Sequence, residues 1–140
     1  MYPSIEAMLY SAAPKSKTIE NYSGTGATHQ SAEKRIDGAR NCMFQLIVTA
    51  MSGAVQTQDI KIQHRKNGSD SWLDTGLAFT QVVVAGGATW NQTKLTTGPL
   101  LPRLRISAVE GGTTTTLAYK VLMTYVQGAR GRFVSHGQLN

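Results

Sequence analysis

Cysteine is almost missing from this sequence. Cys42 stands alone, so no intrachain disulfide can close and thiolates cannot complete a zinc site. It lies in the apolar run Cys42-Met43-Phe44-Gln45-Leu46-Ile47-Val48, with no basic neighbour or nearby His to activate a thiolate, and reads as a small buried hydrophobe. Acidic residues are scarce as well: eight Asp and Glu face fourteen Lys and Arg, a formal charge of +6. Residues 71–140 hold six bases but only Asp74 and Glu110, and no acid follows Glu110. No apolar stretch approaches the ~20 residues of a membrane-spanning helix. The start, Met1-Tyr2-Pro3-Ser4-Ile5-Glu6, has neither the basic nor the apolar region of a secretory signal. These absences point to a protein made in a reducing cytosol, with no membrane partner. The sequons at Asn21, Asn67 and Asn91 then read as chance matches.

What the sequence does have is alternation. Ile60 and Ile62 alternate with Lys61 and Gln63, and Asn67-Gly68 follows, so 59–65 is expected to be one arm of a hairpin whose return begins at Trp72-Leu73. Leu104, Ile106 and Ala108 alternate with Arg103, Arg105 and Ser107, and Glu110-Gly111-Gly112 is expected to turn the chain. Leu117, Tyr119, Val121, Met123 and Tyr125 line one face of the return strand. A turn at Gly86-Gly87 separates 81–84 from 89–95, and Gly98-Pro99 marks another. Residues 42–51 form a strand expected to end at Ser52-Gly53, and 15–22 a weaker one bounded by Gly24 and Gly26. One helix of about two turns, capped by Ser31, is expected over 31–37. Sixteen threonines suit a pleated, half-buried surface. About eight strands in a chain this short make it all-β: an antiparallel sandwich, jelly roll or barrel. The chain reads as a single domain, 1–140, with a core over about 15–126, an N-terminal arm at 1–14 and a basic C-terminal arm at 127–140.

Catalytic motifs do not survive their context. His29, His64 and His136 are far apart, without ligand-spaced acids, so neither a metal nor a cofactor is expected. His64 continues the inward parity of Ile60 and Ile62 and reads as a strand-end histidine satisfied by the fold. Ser31-Ala32-Glu33-Lys34 matches the Ser-x-x-Lys of acyl-enzymes, but no Ser-Asp-Asn or Lys-Thr-Gly accompanies it. Gly24-Thr25-Gly26 lacks the third glycine of a phosphate loop, and Asp70 and Asp74 merely flank a hairpin. No catalytic residue is assigned, and the chain is not expected to be an enzyme.

Binding signals are stronger. Lys61, Gln63, Arg65, Arg103 and Arg105 take the outward parity of their strands, placing positive ribbons on a sheet face. The C-terminal arm carries Arg130, Arg132 and Phe133 among glycines, as an arm that docks on a neighbour would. Lys15, Lys17, Arg103, Arg105, Arg130, Arg132 and Phe133 are the candidate contact residues.

The stretch Asp59-Ile-Lys-Ile-Gln-His-Arg-Lys-Asn-Gly-Ser-Asp-Ser-Trp-Leu-Asp-Thr-Gly76, then Ala78-Phe79-Thr80-Gln81 and Leu101-Pro-Arg-Leu-Arg-Ile-Ser107, resembles the small β-sandwich proteins of tailed-phage virions, and over its length the chain is similar to their head cement, or decoration, proteins. The resemblance implies a jelly roll on the outer surface of the virion capsid, bound to the major capsid protein of an HK97-like shell. It also implies a homo-oligomer, a dimer for preference. No family contact residue carries over, because the class shares a role rather than a motif. The main alternative is a carbohydrate-binding sandwich with Trp72 and Trp90 as its stacking platform. Nucleic acid is the less favoured partner, because Tyr119 and Tyr125 share an apolar face instead of interleaving with the bases.

Overall fold

The computed structural model describes residues 14–36, 39–84, 87–96 and 99–127. The strands are β1 (Lys15–Gly24), β2 (His29–Gln30), β3 (Lys34–Arg35), β4 (Ala39–Arg65), β5 (Leu73–Ala78), β6 (Val82–Val83), β7 (Asn91–Thr96) and β8 (Arg103–Gln127), with one 3-10 turn at Gly87–Thr89. All pairings are antiparallel. The fold is the expected all-β architecture of jelly-roll type.

Two strands organise it. β4 is 27 residues long and β8 is 25, and they pair from Ala39↔Gln127 to Arg65↔Arg103. In one half, β1 flanks β8 and β7 flanks β4; in the other, β2 and β3 flank β8 while β5 and β6 flank β4. The halves close over one core. Phe44, Leu46, Val121 and Met123 of the first half and Ile60, Ile62, Leu104 and Ile106 of the second are at most 1% exposed and belong to a single cluster. Each such side chain contributes roughly 1.5–3 kcal/mol of transfer free energy. Hydrogen bonds stitch both margins: Lys17 Nζ donates to the Arg35 carbonyl (2.6 Å) on one side. On the other, the Gln92 side chain accepts from the Thr80 N–H (2.7 Å) and donates to the Thr80 carbonyl (2.8 Å).

The long strands correct two expectations. Ser52-Gly53 does not end a strand, and Glu110-Gly111-Gly112 does not reverse the chain; β4 and β8 run through both. Register slips at Val48/Ala50, Ser52/Gly53 and Ala54/Thr57 bend the pair instead. The glycines serve the bend, since Gly53 (φ 142°) and Gly112 (φ 79°) hold conformations that side-chain-bearing residues rarely adopt. A slip of one residue exchanges the faces of a strand. Accordingly the inward set of β8 is even at Leu104, Ile106 and Ala108 and odd at Leu117, Tyr119, Val121 and Met123. Inside the bend Gln58 is fully buried and donates from Nε2 to the Gly26 carbonyl (2.6 Å).

The helix expected over 31–37 does not form. Ser31 N–H donates to the Ile106 carbonyl, Lys34 and Arg35 pair with Leu104 and Arg103, and Ile36 N–H donates to the Pro102 carbonyl. The open edge of β8 offers this segment a full set of backbone partners, which outweighs a weak helical preference. The hairpin closed by Asn67-Gly68 and the inward face of 117–125 stand as expected, and the strand expected over 15–22 runs on to Gly24. The N-terminal arm up to residue 13 and the C-terminal arm beyond 127 lie outside the described residues.

Replacing Gly112 by Ala should lower stability by about 1–2 kcal/mol, the cost of a left-handed conformation for an L residue. Urea unfolding measures this, and an unchanged midpoint would mean that the bend does not depend on that φ.

Candidate functional site

The candidate site lies on the outward face of the second half, where β8, β4 and β5 run side by side. Strand parity puts Lys61, Gln63 and Arg65 of β4 and Arg103 and Arg105 of β8 there, with Arg103 opposite Arg65 and Arg105 opposite Gln63. The 66–72 turn then delivers Trp72. Asn67 N–H donates to Asp70 Oδ2 and Asp70 N–H to the Asn67 carbonyl (both 3.1 Å), while Arg65 Nη1 donates to the Asp70 carbonyl (3.1 Å). The chain therefore returns with Trp72 against the arginines. The Arg65 guanidinium carbon is 4.3 Å from the indole ring centroid and that of Arg105 is 4.6 Å.

Glu33, arriving just before β3, joins the cluster from the opposite side. Its Oε1 accepts from Arg65 Nε (3.1 Å) and Nη2 (2.7 Å), and its Oε2 accepts from Arg103 Nη1. The hydrogen bond from Arg65 does most to hold the Glu33 carboxyl below its ordinary value; burial opposes it, and Arg103 adds to it. Beside this trio, Asp74 accepts from Gln63 Nε2 (2.9 Å) and Lys61 Nζ (3.0 Å), which hold its carboxyl down in the same way. Gln63 Oε1 in turn accepts from Arg105 Nε (2.8 Å). The result is an array of guanidiniums and amides held by its own hydrogen bonds. Such a face can recognise planar anions.

Of the candidate contact residues, the structure brings Arg103 and Arg105 together. Lys15 and Lys17 belong to β1, the edge of the other half. Arg130, Arg132 and Phe133 lie outside the described residues. Sequence reasoning placed Arg65 on the outward face but did not join it to Trp72, and it took Glu33 only as part of a failed motif. The parities of 61–65 and 103–105 hold the missing signal once the two strands are paired antiparallel. Trp72 and Trp90, grouped as a sugar platform, do different work: Trp90 packs on the core and donates from Nε1 to the Val83 carbonyl (3.0 Å). Trp72 has two guanidiniums over its ring.

His29, His64 and Ser31 serve the fold. His29 Nδ1 faces the Ala27 carbonyl (2.6 Å), which can only accept, so Nδ1 carries the hydrogen and Nε2 accepts from Tyr119 Oη (2.7 Å). Its ring stacks on Tyr22 at 3.8 Å, tying β2 to the core of the first half. His64 Nδ1 accepts from the Leu101 N–H (3.1 Å), and burial lowers its basicity. Ser31 Oγ accepts from the Ile106 N–H (2.8 Å) and so replaces a ladder bond. Among the described residues no three His, Cys, Asp or Glu side chains gather as metal ligands.

Two outcomes follow. Glu33→Gln keeps the shape and removes the charge. A carboxyl depressed on folding stabilises above its ordinary value of 4.5 and loses that contribution as pH falls below it. The variant should therefore melt below wild type at pH 7, and the gap should close as the solution is acidified; a gap independent of pH would mean that the charge contributes nothing. Cys42, 1% exposed with its thiol pushed up to about 11 by burial, should stay inert to a thiol reagent until the protein is unfolded. Rapid labelling of the native protein would place it elsewhere.

No protein-family model matches the chain, and no curated protein matches it. Solved structures similar to it include the CBM22-1–GH10 modules of Clostridium thermocellum endo-1,4-β-D-xylanase 10B complexed with xylohexaose, at 8% identity and a TM-score of 0.45 over 82% of this chain. Mud crab dicistrovirus aligns at 9% identity and 0.42 over 90%, and infectious bursal disease virus, Gt strain, at 15% and 0.34 over 83%. The chain spans 26%, 76% and 34% of those three chains respectively, and at such identities they remain distant structural likenesses.

Proposed function

We propose that this protein is a structural component of a virion, a cement protein that binds the outside of a phage head and stabilises contacts between major capsid protein subunits of an HK97-like shell. The observation that supports it is the guanidinium face over Trp72, an outward, hydrogen-bonded surface on a bent sandwich. The sequence resemblance gives the partner its identity, since the chain looks over its full length like the head cement protein of a short-tailed Bordetella phage. A homo-oligomer, favoured as a dimer, would present the face more than once to the shell. Many weak contacts would then act together through avidity.

The test uses purified heads stripped of their decoration. Full-length protein should rebind at saturable stoichiometry, raise the temperature at which the heads release DNA, and dissociate progressively as salt rises. Removing residues 128–140, which lie beyond β8, should weaken retention while leaving the melting transition of the isolated protein in place. Failure of intact protein to rebind, together with saturable binding of xylohexaose or another oligosaccharide, would replace this reading with the carbohydrate-binding one.

A further inference from the structure

The pairing of β3, β8 and β4 sets Arg35 beside Arg103 and Arg103 beside Arg65, three arginines abreast on adjacent strands. Arg105 follows two residues along β8, opposite Gln63, which lies opposite Asp74. Like charges directly opposed on neighbouring strands are destabilising, so such a row calls for counter-charges. Part of the need is met within the chain. Lys61 has Asp74, while Arg65 and Arg103 divide the two oxygens of Glu33. Arg105 has neutral company only: its Nε donates to an amide oxygen and its guanidinium lies over an indole. Among the described residues no carboxylate pairs with it. Burial and the nearby Arg65 both disfavour its charge, so an added negative group would relieve this spot.

Its surroundings also define the shape of the missing group. Stacking on Trp72 and the Nε bond to Gln63 fix the plane of the guanidinium and leave its terminal nitrogens as a fork. A fork of this kind matches a carboxylate through two parallel hydrogen bonds. A nucleic acid fits less well. Glu33 and Asp74 interrupt the positive face that a continuous phosphate backbone would follow, and the Trp72 ring already has two guanidiniums against it where a base would stack.

We infer that the face centred on Arg105 and Arg65 over Trp72 is the docking surface for an acidic segment of a partner protein, with one Asp or Glu carboxylate laid across the Arg105 fork. The identity of that partner as a capsid subunit rests on the cement reading; the chemistry of the surface does not.

The experiment titrates full-length protein with a short Glu-rich peptide and follows tryptophan emission, with Trp72→Phe as the control that removes the reporter beside the site. A Gly-Ser peptide, inorganic phosphate and a single-stranded oligonucleotide are run at matched ionic strength. The Glu-rich peptide should give a saturable change that Trp72→Phe abolishes. Arg105→Gln should weaken it by about ten- to a hundredfold, as loss of a charge-assisted contact requires. Arg105→Lys, which keeps the charge and loses the fork, should fall between the two, and Lys120→Gln, exposed on the first half of the sandwich, should bind as wild type. Unaltered melting of each variant checks that it folds. Equal affinity in Arg105→Gln, no response to the peptide, or tighter binding of the oligonucleotide would overturn the inference. Head rebinding separates it from the broader reading. Wild type that binds the peptide but not heads would remove the cement function and leave the carboxylate site; heads that retain Arg105→Gln as well as wild type would do the reverse.

Discussion

The pairing of β4 with β8 carries the rest of the molecule. Every other strand attaches to one of these two and to nothing longer, so the flanking elements have no sheet without that ladder. Its contacts are non-local, joining residues as far apart as Ala39 and Gln127. Loop-closure entropy must therefore be met before any reward in burial, a cost that slows folding in topologies dominated by non-local pairing. The same ladder explains the bend. A pair this long cannot stay straight and also wrap one core, and its register slips let each strand change which parity faces inward.

That constraint reaches the candidate site directly. Arg65 and Arg103 form the last pair of the ladder, and Gln63 with Arg105 the next but one. A ladder registered one residue differently would send these side chains inward and Ile62 and Leu104 outward. The hydrophobic core thus fixes the arginine face as its obligatory reverse side. Exposed ion pairs taken singly contribute little, about 0–1 kcal/mol. Their value here is geometric, because Glu33 bridging two arginines and Trp72 under two guanidiniums hold the array in one arrangement without help from a ligand.

The strands were legible wherever alternation was clean, as in Ile60–Ile62, Leu104–Ala108 and Leu117–Tyr125, because burial on one face leaves period two in the sequence. Strand continuity was not legible. Ser52-Gly53 and Glu110-Gly111-Gly112 carry the same residues that a reversing turn would carry, and only the facing strand decides whether a positive φ reverses a chain or bends it. The failure at Ser31–Asp37 has the same origin: local preference was weak, and the open edge of β8 supplied partners that the sequence does not display. At the site, the outward arginines could be read from parity alone. Glu33 could not, because it reaches them from a segment with no strand pattern, and Trp72 was read as a free platform because nothing local shows the guanidiniums that cover it.

Two carboxylates, Glu33 and Asp74, hold Lys61, Arg65 and Arg103 in place and leave the face net positive, with Arg105 kept by neutral partners. A row of unmatched arginines would attract any polyanion in the cell. With Glu33 and Asp74 engaged by Lys61, Arg65 and Arg103, the attraction falls on Arg105, whose partners in this cluster are neutral, and a single fork on a partly wet face binds weakly by itself. Weakness at one site is no handicap on a repeating surface, where each added contact acts at the high effective concentration set by the first. On the proposed reading the internal carboxylates would temper attraction to polyanions, while repetition of the partner would set affinity.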